Sequence, residues 1–164
     1  MNLFPYFRHY AVAYAHKWAY DRNPDYYDFS DIGGDCTNFV SQCIFAGSGI
    51  MNETPVYGWY YHDLNNRAPA WTGVDYLYNF LVNNKGSGPF GVECAIDEVE
   101  AGDIIQLQTI GEGFHHTPII VYTGLKPSIS TILVAAHSID CDYRLLTSYP
   151  IRKIRFIHIL GVRA

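Results

Sequence analysis

The chain has 164 residues, 49% of them hydrophobic and only 16% charged, with 14 Tyr, 9 Phe and 3 Trp. That composition excludes disorder over most of the length, and a domain of this size buries roughly 70% of its unfolded surface and needs no disulfide or metal staple. The formal charge of −5 argues against a nucleic-acid partner, no apolar run approaches the roughly 20 residues of a membrane span, and the start lacks the basic-then-apolar order of a secretion signal.

One domain is expected over residues 1–164, because no repeat, low-complexity tract or linker divides it. Pro5 suits a first helical turn, and residues 6–20 then run without Gly or Pro, with Tyr6, Tyr10, Ala13, Tyr14 and Trp18 at near-helical spacing. Asn23-Pro24 stops this helix, and residues 26–34 read as loop. A second helix opens at Cys36, with Asp35 as its N-cap, Gly47 as its terminator, and Phe39, Val40, Cys43 and Ile44 as its apolar face. Residues 47–70 read as a long loop and 74–82 as a third helix. Strands follow at 103–108, 117–123, 130–137 and 154–160. Helices first and strands later predict an α+β domain, with helices packed on one face of a mostly antiparallel sheet. The basic residues Arg144, Arg152, Lys153, Arg155 and Arg163 read as a solvated strand edge.

Of the four cysteines, Cys36 and Cys43 lie about 10 Å apart on one helix, beyond disulfide reach. Cys94 and Cys141 have no CxxC spacing. Cys36 stands out because it opens a helix directly after Gly33-Gly34-Asp35. Unpaired N–H groups and a partial positive charge there favour a thiolate, and the same groups can hold an oxyanion. The alternative is a structural helix-start cysteine. Asp21, Asp25, Asp28, Asp31 and Asp35 would oppose the thiolate, so a cationic partner is needed. His116, opening one strand, and His137, closing another, have the position of such partners.

The segments GGDCTNFVSQ, AGDIIQL, HTPIIVYTG and AAHSID resemble, in that order, the putative amidase domain of bacterial proteins. That family is related to the NlpC-type and CHAP-type cell-wall hydrolases of the papain-like superfamily. The resemblance covers nearly the whole chain. It implies a papain-like thiol hydrolase of amide bonds acting on peptidoglycan peptides, monomeric and without a cofactor. Cys36 then takes the place of the nucleophile, His116 of the general base and His137 of the group that orients the base, with Asp140 as competitor for that post. Tyr27, or Tyr26, stands nearest the oxyanion tyrosine of the relatives, and Asp35 adjoins that site. His115 is expected to face away from Cys36, since adjacent strand residues alternate faces.

Beside this, an imidazole near the thiol is expected to keep Cys36 ionised at neutral pH. Two rival readings are a catalytically idle wall-binding or interaction module of the same fold, and a zinc hydrolase built on Cys36, His115, His116 and His137. Asp103, after Gly102, reads as a structural turn residue. Trp59, Tyr60, Tyr61 and Trp71 either line a groove or pack a core.

Overall fold

A computed structural model describes all of residues 1–164. A short strand β1 (Leu3–Phe4) leads to α1 (Arg8–Trp18) and α2 (Cys36–Ser48), then to a small hairpin β2 (Tyr61–Asp63) and β3 (Asn66–Arg67) and the paired helices α3 (Pro69–Thr72) and α4 (Val74–Asn83). Six strands follow: β4 (Gly88–Cys94), β5 (Ile104–Gln108), β6 (Ile119–Tyr122), β7 (Leu133–Ala136), β8 (Cys141–Leu145) and β9 (Lys153–Arg163). The main sheet has seven strands in the order β1-β9-β5-β6-β7-β8, with β4 also paired to β9. Every pairing is antiparallel. The expected α+β class and antiparallel sheet are therefore present.

The sheet has a core on each face. Ile104, Ile119, Ala135, Ile157 and Ile159 pack toward the helices, whereas Ile105, Leu107, Ile120, Val134 and Phe156 build a smaller cluster with Val99, Ile132 and Leu146. The alternation of neighbours between clusters follows from the period-two geometry of a strand. It explains why β5 is buried at every position.

Helix α1 buries a different face from the one its aromatics suggest. Ala11, Ala15 and Ala19, four residues apart, are fully buried, while Tyr10 is exposed. Small side chains at this spacing let α1 lie close against α2. The helix starts at Arg8, three residues beyond Pro5, because Tyr6 is drawn off to donate its hydroxyl to the Gly102 carbonyl at 2.9 Å. Gly47 sits inside α2 instead of ending it. A Cβ there would lie 2.6 Å from the Tyr6 ring, and Gly49 closes the helix in the left-handed region at φ 67°.

Helix α2 is buried along nearly its whole length, polar residues included. The Ser41 hydroxyl accepts from the Trp59 indole and donates to the Trp71 carbonyl. The Asn38 carbonyl oxygen accepts from the Trp71 indole, and the Gln42 carbonyl oxygen accepts from the Tyr14 hydroxyl. Trp59 and Trp71 are thus core residues, 4.7 Å apart between ring centres. Each pairs its one polar atom with α2, as a buried indole requires.

The long loop expected at 47–70 contains the β2–β3 hairpin, and β4 and β8 are strands that local pattern does not announce. Arg144 does stand on the edge strand β8, but the rest of the basic C-terminal stretch is not an edge. Strand β9 pairs β4 on one side and β5 and β1 on the other, and its arginines are absorbed locally: Arg155 donates to Gln106 and Asp75 and lies over the Tyr78 ring. Asp103, fully buried, accepts from Arg8 at 2.6 Å, from the backbone N–H groups of Ile159 and Glu100, and pairs with His158 at 2.7 Å. Its role is to tie α1 and β9 to the start of β5. Asp103→Ala leaves buried donors and the Arg8 charge without a partner and should lower stability by about 3 kcal/mol, read as a shift of the urea midpoint at unchanged slope.

Candidate active site around Cys36 and His116

The start of α2 is pinned by the ends of two strands. Asp35 does not cap the helix with its side chain. Its Oδ1 instead accepts from the Phe29 N–H and the Asn38 amide, both at 2.9 Å, and its Oδ2 meets His137 Nδ1 at 2.5 Å. The other ring nitrogen of His137, Nε2, lies 2.8 Å from the Trp18 carbonyl and 3.2 Å from Arg22 Nη1. The ring stacks on Phe39 with centres 4.0 Å apart. On the other side of the helix start, Thr37 Oγ1 lies 3.1 Å from Thr117 Oγ1.

These bonds place the Cys36 sulfur against the backbone that carries His116. Cys36 Sγ is 3.9 Å from the His115 carbonyl and 3.7 Å from Thr37 Oγ1, and the side chain is only 7% exposed. His116 sits just before β6, bridged to Leu107, and is equally buried. Its Nε2 lies 3.4 Å from the Tyr149 hydroxyl, a long hydrogen bond. Tyr149 is in turn 3.7 Å from Cys141 Sγ, and the Arg144 guanidinium lies 3.7 Å above its ring. His115 belongs to a separate environment: its Nε2 accepts from the Thr109 N–H at 3.0 Å.

The expected bond between His137 and His116 is absent, since both ring nitrogens of His137 face Asp35, Trp18 and Arg22. Asp140 is held by Arg22 at 2.9 and 3.1 Å, so it does not orient His116 either. The group beside His116 is Tyr149, which sequence reasoning missed because it lies 33 residues away in a loop without regular pattern. Tyr27 packs edge-on to Phe29 and donates its backbone N–H to the Tyr61 hydroxyl. Asp35, an acceptor already engaged, has no proton to offer an oxyanion. The acidic loop is organised around Arg22, which pairs with Asp28 and Asp140 and lies 3.7 Å from Asp35. The four donors of the zinc reading are likewise dispersed, and no group of three or more His, Cys, Asp or Glu side chains converges at metal-ligand spacing.

Electrostatically Cys36 and His116 are each neutral at rest. Burial pushes the Cys36 thiol up, against the pull of the Thr117 and Thr37 amides, and nearby Asp35 adds to the rise. Burial pushes His116 down to about 4, with His115 and Arg144 acting in the same direction. The expected thiolate–imidazolium pair is replaced by thiol and imidazole, because two buried groups lose more by desolvation than helix start and neighbours return.

A cavity of about 710 Å³ opens over this region, lined by Arg22, Thr109, His115, His116, Asp140, Arg144 and Tyr149 together with the turn residues Ser138 and Ile139. Those two turn residues join β7 to β8 with φ of 66° and 67°. Both therefore occupy the left-handed region that a two-residue hairpin turn demands and that Asn-Gly usually fills. Gly34, at φ 98°, approaches the turn so closely that a Cβ would lie 3.3 Å from Ser138 Oγ.

Because His116 is depressed from 6.5 to about 4, its contribution to stability is complete above pH 6.5 and is lost as pH falls toward 4. The His116 ring signal in an NMR titration should have its midpoint near 4, and Tyr149→Phe should leave it below 6.5. Iodoacetamide should alkylate Cys36 slowly at pH 7 and faster as pH rises toward 10.

The protein YhbB of Bacillus subtilis (strain 168), itself described as uncharacterized, is 35% identical over 167 residues, covering 96% of this chain and 51% of the relative. The chain thus spans about half the length of that relative. No solved structure matches it. The family model described as "Putative amidase domain" matches residues 5–160, and the chain belongs to that family.

Proposed function

We propose that the chain is a thiol-dependent amide hydrolase, one domain of papain-like architecture, that uses Cys36 as nucleophile and His116 as general base on peptides of the bacterial cell wall. The observation that carries this reading is the contact of the Cys36 sulfur with the backbone at His115, one residue from an imidazole that lines the large cavity. Membership of an amidase family supplies the bond type. The cell-wall substrate rests on the resemblance to wall hydrolases.

The neutral resting state defines the order of events. His116 takes the thiol proton as sulfur attacks the amide carbonyl, so that the charged pair forms only during the reaction. The backbone N–H groups at residues 36–38 precede the first intrahelical bond, Phe39 N–H to the Asp35 carbonyl, and offer donors to the oxyanion. The imidazolium then returns its proton to the leaving amine. Water, deprotonated by the same imidazole, cleaves the thioester and restores the thiol. Tyr149 positions the ring of His116, while the Asp35–His137 pair positions the helix start that carries the sulfur.

The test is mass spectrometry of purified muropeptides incubated with the protein. Hydrolysed products should appear with the wild type, in the presence of EDTA as well, and vanish with Cys36→Ala. His116→Ala should lose at least about 100-fold in rate, as expected for a missing general base. Full activity of folded Cys36→Ala overturns the thiol mechanism, and binding without product for the wild type makes the idle module the better reading.

A further inference from the structure

The cavity over His116 contains two arginines whose electrostatic situations differ. Arg22 is spent on the protein, since it holds Asp140 through two hydrogen bonds and pairs with Asp28. Arg144 has no carboxylate partner among the salt bridges of the molecule. Its Nε donates to Ser148 Oγ at 2.7 Å and its Nη2 faces the Ser148 carbonyl at 3.4 Å, and its plane lies over the Tyr149 ring. These contacts use neutral acceptors and leave Nη1 unpaired. A guanidinium immobilised by stacking and a Ser148 hydroxyl has lost its side-chain entropy before any ligand arrives.

The surroundings leave the charge uncompensated. Arg22, Asp140, His115, His116 and Tyr149 are the other titratable groups that line the cavity. Asp140 is matched by Arg22, His116 is held neutral at ordinary pH, and burial pushes the Tyr149 hydroxyl up so that it stays protonated. What remains is one positive charge on the wall that also carries His116.

We infer that Arg144 forms a carboxylate-binding subsite, selecting peptides that carry a free carboxylate close to the bond presented to His116. This rests on the proposed hydrolase for its meaning but not for its test. A planar carboxylate matches the guanidinium fork, and a charge-assisted bond is worth more than a neutral one. Burial is the main cause that depresses His116, with His115 and then Arg144 adding to it, and a carboxylate on Arg144 offsets the last of these, which makes His116 a somewhat stronger base.

The experiment follows binding, not turnover, in the Cys36→Ala protein. N-acetyl-Ala-Ala and its C-terminal carboxamide are titrated in turn while the His116 ring signal is recorded. The acid should bind at least about tenfold more tightly than the amide and raise the His116 midpoint above its unliganded value. Arg144→Gln should abolish the discrimination, and Arg144→Lys, which keeps the charge without the fork, should retain part of it. Equal affinities for acid and amide, or discrimination that survives in folded Arg144→Gln, overturns the subsite. Inorganic phosphate displacing the acid at equal concentration also overturns it, by showing a general anion site. Failure of the thiol mechanism would appear only in the muropeptide assay, because these measurements do not involve the Cys36 sulfur.

Discussion

The buried pair of Asp35 and His137 is the constraint on which the arrangement at the helix start depends. Both side chains are almost wholly removed from water, and such a pair holds only when its remaining hydrogen-bonding capacity is met. Here further partners surround it: the Phe29 N–H and Asn38 amide at the carboxylate, the Trp18 carbonyl and Arg22 at the second ring nitrogen. The partners come from α1, the acidic loop, α2 and the end of β7, so four separate stretches of chain are fixed by one interaction. Cys36 inherits its position from its neighbour in sequence.

The same economy runs through α2. A helix surrounded by protein on all sides usually carries apolar residues throughout, yet Thr37, Asn38, Ser41 and Gln42 are all buried. Their partners are side chains and carbonyls of Thr117, Trp71, Trp59 and Tyr14, which makes the helix an internal polar spine with a unique register. An apolar helix could slide by a turn at small cost. This one would strand several polar atoms, and each costs about 1–3 kcal/mol when left without a partner.

How far the chain could be read in advance follows from which forces are local. The helix start at Cys36, the strand carrying Ile104 to Gln108 and the turn position of Asp103, which accepts from the Glu100 N–H, rest on signals that act within a few residues. Strand β4 begins with Gly88-Pro89 and was not legible, because its pairing with β9 supplies the order that its own composition discourages. The charge state of Cys36 was misjudged for a related reason: a helix terminus acts locally, whereas desolvation depends on everything packed around the sulfur. His137 was legible as a functional-looking histidine but not as the partner of Asp35, 102 residues away. Tyr149 had no local signature at all.

The turn of Ser138 and Ile139 stiffens one edge of the cavity. A β-branched residue held in the left-handed region costs on the order of 1–3 kcal/mol and persists only where the surroundings over-determine it. Here the turn is clamped at both ends, by His137 on Asp35 and by Asp140 on Arg22. The rim is therefore a stiff lip whose shape has been set during folding. An occupant of the cavity therefore meets a preformed template at the Ser138–Ile139 lip.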